Sequence, residues 1–160
     1  MKTVFQFVIC LIIPLAIGGF SGYLTTPEIT GEWFTQLIKP SFYPPAEVFP
    51  IVWTALYVLM GISLFMVVKQ NASGLRTDAI LSFVLQIILN FWWSIFFFRF
   101  KRPDVSLGEM AILWLAILFM LYCYRKVKPA AAWLQIPYLL WVSFALVLNY
   151  SLWSLNKIVE

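Results

Sequence analysis

The chain has 160 residues, of which 62% are hydrophobic, 19% aromatic and only 11% charged, with a net charge of +4. A soluble domain carries about a quarter charged residues, so these proportions exclude a water-soluble fold and leave one membrane domain with no room for a second. There is no histidine, which removes Ser-His and Cys-His catalysis, imidazole-ligated haem and most zinc sites.

The basic residues stand singly or in short groups between apolar runs, as in Arg99, Lys101 and Arg102 or Arg125, Lys126 and Lys128. That is the pattern of loop charges at a membrane surface, not of a nucleic-acid interface. Cys10 and Cys123 fall in different apolar segments and match no metal-ligand spacing, so no metal site is expected and both read as small packing residues.

A spanning helix needs about 20 apolar residues, and five spans account for nearly the whole chain. The first runs over roughly 4–24. Lys2 ahead of an apolar run imitates a signal peptide, but the run is long enough to be retained as a helix. Pro14 predicts a kink. Gly18 and Gly22 form a GxxxG spacing that lets another backbone approach closely, either within the chain or in a homodimer.

A long connection follows over roughly 25–47. It carries Trp33, Lys39, Pro40, Pro44 and Pro45. Its length suits a functional lid, and its prolines stiffen it. The second span runs over roughly 48–68, the third over 79–98, the fourth over 106–124 and the fifth over 130–155. Pro137 predicts a bend in the fifth. Glu28, Glu32, Glu47 and Glu109 are placed in loops or at span ends, so no acid–base pair is expected inside the membrane. Lys2, Lys69, Arg76, Arg125, Lys126 and Lys128 share the N-terminal side, and Lys39, Arg99, Lys101, Arg102 and Lys157 the other. This near balance tips the N-terminus only slightly towards the cytoplasm.

Polar groups inside the spans need partners, which makes their spacing informative. Gln86, Asn90 and Trp93 stand at i, i+4 and i+7 and share one helical face. Trp141, Ala145 and Asn149 share a face of the fifth span, with Tyr138 close to that stripe. Trp53 and Tyr57 are one turn apart on the second. Singly, such amides often only join helices and such rings often mark the headgroup belt. Together they predict an internal pocket with flat apolar walls and a few hydrogen-bonding groups, suited to a planar hydrophobic ligand.

At these residues the chain resembles a known family. Trp33-Phe-Thr-Gln-Leu37-Ile-Lys39-Pro40-Ser41-Phe-Tyr-Pro44-Pro45 resembles the W-x-x-L-x-K-P-S-x-x-P-P loop of the translocator protein / tryptophan-rich sensory protein family, also called peripheral-type benzodiazepine receptors. Pro50-Ile-Val-Trp53-Thr-Ala-Leu56-Tyr57, Gln86-Ile-Ile-Leu89-Asn90-Phe-Trp-Trp93 and the run from Pro137 to Tyr150 resemble its motifs on the second, third and fifth helices. The motifs occur in the family's order and cover nearly the whole chain.

The resemblance implies an all-α five-helix membrane bundle whose ligand cavity is capped by the first loop. It implies porphyrin ligands such as protoporphyrin IX, no required cofactor, and pocket positions at Trp53, Asn90, Trp93, Trp141, Ala145 and Asn149. The basic position of the family's animal sterol motif is Ser154 here, so sterol binding does not carry over. Three functions follow as expectations: a tetrapyrrole receptor or sensor, an enzyme degrading porphyrin in light and oxygen through Trp53 and Trp141, or a porphyrin or sterol transporter. The expected location is a bacterial cell membrane, with lipid and a hydrophobic small molecule as partners.

Overall fold

The structure is a computed structural model that describes residues 2–157. Five helical segments are long and apolar enough to cross a membrane. The helices are α1 (Lys2–Ile29), α2 (Glu32–Gln36), α3 (Val48–Val68), α4 (Gly74–Ser94, continued by a π-helical turn over Ile95–Arg99), α5 (Pro103–Val127), α6 (Pro129–Trp133) and α7 (Ile136–Asn156). Among the described residues there is no strand. Phe5, Ile12, Leu81, Leu115 and Leu140 point outwards and are exposed. Their backbone groups are satisfied within the helices, so they can face hydrocarbon without a polar penalty.

Local chemistry sets most boundaries. Ser73 caps α4 by accepting the Arg76 backbone N–H, and Arg76 reaches back to the Val68 and Gln70 carbonyls at the end of α3. Pro103 opens α5 where its missing N–H costs nothing, with Asp104 in the first turn and Arg125 and Lys126 in the last.

Three elements depart from the sequence expectation. The first helix continues past residue 24 to Ile29, through Pro27, and Thr25 and Thr26 donate to the Ser21 and Gly22 carbonyls there. The connection is therefore shorter than expected and contains a helix of its own. The fifth segment does not bend at Pro137. It breaks at Leu134 and Gln135, and Pro137 sits in the first turn of α7, the one place in a helix where proline fits freely. Buried Gln135 holds the break closed by donating to the Leu59 carbonyl and to Ser63 Oγ.

The glycine motif also divides. A Cβ on Gly18 would lie 2.0 Å from the Tyr57 ring, whereas Gly19 and Gly22 have nothing within 4 Å. The close helix approach is made instead by Gly61 on α3, where a Cβ would lie 2.7 Å from Leu11 Cα. The GxxxG spacing thus marks room for a ring and open space, while a glycine outside it lets two backbones meet.

α1 packs against α3 and α4, α4 against α5, and α5 against α7, with α6 closing on α3 and α5. Met60, Leu64, Val67, Phe83, Ile117 and Met120 fill the half of the bundle away from the lid, together with Cys10 and Cys123. A smaller cluster of Phe34, Phe97, Leu148 and Leu152 ties the lid helix α2 to the opposite end. Between these two clusters the bundle is hollow.

Candidate functional site

The hollow is a cavity of about 550 Å³, within the range of small-molecule sites. Its walls come from the lid-side halves of α1, α3, α4 and α7, and its roof from the loop through Phe34, Tyr43 and Ala46. Nine aromatic side chains line it: Phe34, Tyr43, Phe49, Trp53, Tyr57, Trp93, Phe97, Phe98 and Trp141. Among the described residues no charged one does.

The rings brace one another. Trp53 stacks on Tyr57 at 5.5 Å between centroids, and Phe49 meets Trp141 edge-on at 5.9 Å. Trp93 and Phe34 both pack against Phe97. Offset and edge-to-face contacts of this kind favour fixed orientations, so the walls are flat surfaces held in place.

The polar residues of the wall bond chiefly to protein. Tyr57 Oη donates to Asn90 Oδ1 (2.9 Å), Asn90 Nδ2 donates to Tyr138 Oη (3.2 Å), and Tyr138 Oη donates to Gln86 Oε1 (2.9 Å). Trp93 Nε1 donates to Asn149 Oδ1 (3.0 Å), and Asn149 Nδ2 donates to the Pro103 carbonyl (2.9 Å). Ser21 and Ser94 share a short hydrogen bond between α1 and α4. Both asparagine amides therefore use donor and acceptor to join helices, each spanning three elements.

Of the residues singled out from the sequence, Trp53, Tyr57, Asn90, Trp93, Trp141, Ala145 and Asn149 line the cavity. Gln86 and Tyr138 do not. Both are fully buried behind the wall, where they hold Asn90 in place. In the lid, Trp33 packs against Phe34 and Phe97, and Lys39 lies over the Phe34 and Tyr43 rings. Neither these two nor Pro40, Pro44 and Pro45 are part of the lining. Burial raises the Tyr43 hydroxyl above the ordinary phenol value, so it faces the cavity as a neutral phenol.

Sequence reading missed the wall supplied by α1, from Leu15 to Ile29, and the lower roof residues Phe34, Tyr43 and Phe49. The first had a signal, the three glycines of that helix, which is where the wall recedes. Glu109 stands near the start of the fourth span, and what the sequence did not show is its burial. It lies in the second turn of α5, 8% exposed, and neither carboxyl oxygen has a hydrogen-bond partner among the described residues. Trp141 Nε1 is likewise buried and unpartnered.

Comparison with known proteins agrees with this architecture. The model of the TspO/MBR family matches residues 10–154. The chain is similar to the tryptophan-rich protein TspO of Chlorobaculum tepidum, 35% identical over 159 residues that cover 97% of this chain and 98% of that protein. It is 36% identical over 155 residues to the tryptophan-rich protein TspO of Archaeoglobus fulgidus, covering 96% and 99%. It is 30% identical over 146 residues to the translocator protein of Bos taurus, covering 89% and 86%.

Proposed function

The chain belongs to the TspO/MBR family and is a multi-pass integral membrane protein, and we propose that it is a receptor or sensor that binds a planar, mainly apolar tetrapyrrole of the protoporphyrin IX type in the lid-side cavity. The observation that carries this reading is the lining itself: nine braced rings around about 550 Å³, with no charged residue and with both asparagine amides already bonded to protein. Flat aromatic walls reward a flat ligand through stacking and burial. They offer little to a ligand that must be hydrogen-bonded all round.

Titration of the purified protein with protoporphyrin IX in darkness should quench tryptophan fluorescence saturably. Replacing both Trp53 and Trp141 by Phe keeps a ring at each place but removes two indoles from the wall, and should weaken binding by about tenfold, within the range reported for aromatic contacts. Unchanged affinity in that variant would sink the assignment of ligand to this cavity.

A second reading, photo-oxidative porphyrin breakdown, draws on the same two residues. Trp53 and Trp141 both line the cavity, which would put oxidisable indoles beside an illuminated macrocycle. Repeating the titration in light and oxygen separates the readings. Porphyrin loss no faster than with an equal load of free tryptophan in detergent leaves binding alone.

A further inference from the structure

The cavity wall holds no cation, yet tetrapyrroles of the protoporphyrin class carry propionate carboxylates. A carboxylate taken into such a chamber loses its hydration and finds no positive charge in the wall to offset that loss. The acidic edge of such a ligand has to lie where a positive charge can meet it, and the lid end is where the nearest cations stand.

Most of those cations are already engaged. Arg99 and Lys101 both pair with Glu28, and Arg102 forks onto Asp104. Lys157 lies over Trp153, a ring outside the cavity lining. Lys39 differs from all of these. Its ammonium sits 5.0 Å from the Phe34 ring centroid and 5.6 Å from that of Tyr43, and both rings are roof residues of the cavity. It has no carboxylate partner among the described residues.

The backbone holds Lys39 in that place. Asn156, in the last turn of α7, accepts the Ile38 N–H (2.9 Å) and donates to the Ile38 carbonyl (3.0 Å). Pro40 follows directly, and Tyr43 N–H closes a turn onto the Pro40 carbonyl (2.9 Å). Residues on both sides of Lys39 are thus tied down, and the cation–π contacts steer its long side chain over the roof. An ammonium has three donors, and aromatic faces satisfy it electrostatically while leaving those donors for an anion.

From this we infer that Lys39 is a specificity-determining residue that anchors the carboxylate edge of the ligand at the mouth of the cavity, so that the macrocycle enters with its apolar edge first. The inference rests on the tetrapyrrole reading above and extends it to the ligand's charge and orientation.

The test compares protoporphyrin IX with its dimethyl ester, which has the same ring and no carboxylate. Both are titrated in darkness against wild type, Lys39→Gln, Lys39→Arg and Lys69→Gln. Lys69 is a fitting control because it lies over Phe65 at the end of α3 away from the lid. Lys39→Gln should weaken the free acid on the order of tenfold, as expected for losing a charge-assisted hydrogen bond, and leave the ester unchanged. Lys39→Arg should retain acid binding, Lys69→Gln should match wild type, and rising salt should erode the acid's advantage in wild type alone.

An acid-to-ester ratio that Lys39→Gln does not move would overturn the inference while leaving cavity binding intact. So would an equal loss for acid and ester, which would make Lys39 a prop for the lid. If wild type bound neither compound, the tetrapyrrole reading itself would fall and this inference with it.

Discussion

Replacing Gly18 by Ala adds one carbon to the first helix and should damage the site more than its size suggests. The new Cβ would fall 2.0 Å from Tyr57 Cε2 and 2.5 Å from Cζ, far inside van der Waals contact. The ring cannot simply yield. It is stacked on Trp53, and its hydroxyl donates to Asn90, which in turn holds Tyr138. Overpacking of this kind costs about 1–3 kcal/mol, and losing the Tyr57–Asn90 bond adds about 1 kcal/mol. The alternative is for the ring to swing into the cavity and occupy ligand space. Either route should lower porphyrin affinity at least about tenfold, since 1.4 kcal/mol is a factor of ten.

Gly74→Ala and Gly108→Ala are controls outside the cavity lining. Nothing lies within 4 Å of either added carbon, so both should bind within about threefold of wild type. The assay is dark fluorescence titration with near-ultraviolet circular dichroism to report the Trp53–Tyr57 pair. A double-mutant cycle completes it: once Tyr57→Ala has removed the ring, adding Gly18→Ala should cost almost nothing further. Wild-type affinity and dichroism in Gly18→Ala, or full additivity in the cycle, would refute the reasoning.

Two further predictions concern what holds the box together. Gly61→Ala should lower the thermal midpoint in detergent, by an amount matching about 1–3 kcal/mol, because its Cβ would meet backbone atoms of Leu11 and Cys10 that cannot rotate away. An unchanged midpoint would mean that α1 and α3 slide apart freely. Asn156→Ala removes both bonds that pin Ile38, each worth about 0.5–1.5 kcal/mol net. It should speed ligand release about tenfold and raise hydrogen exchange across residues 37–43; unaltered release would show that the lid is held by the buried Phe34 cluster alone.

The sequence by itself determined that this is a membrane bundle, because hydropathy and span length act locally and leave few alternatives. It also marked much of the site. Asn90 and Trp93 stand on one face of a helix, and so do Trp141 and Asn149, because helical periodicity places them there whatever the packing. The family motifs added order along the chain, and the family match bore that resemblance out.

Only the tertiary structure decided what those residues do. Periodicity treated Gln86 and Asn90 as equals, yet one lies behind the wall and the other in it. The difference is a matter of depth, set by where the side chains of α3 and α7 meet those of α4, and no spacing encodes it. Asn90 and Asn149 line the cavity and also tie helices together, through partners Tyr57, Tyr138, Trp93 and Pro103 that are distant in sequence. The α1 wall was hidden for a related reason. A helix that is apolar all round shows no preferred face, so only assembly reveals that its glycines recede beside Tyr57 and the cavity. The sequence named the parts of a box; long-range packing made it hollow, with Lys39 over two of its roof rings.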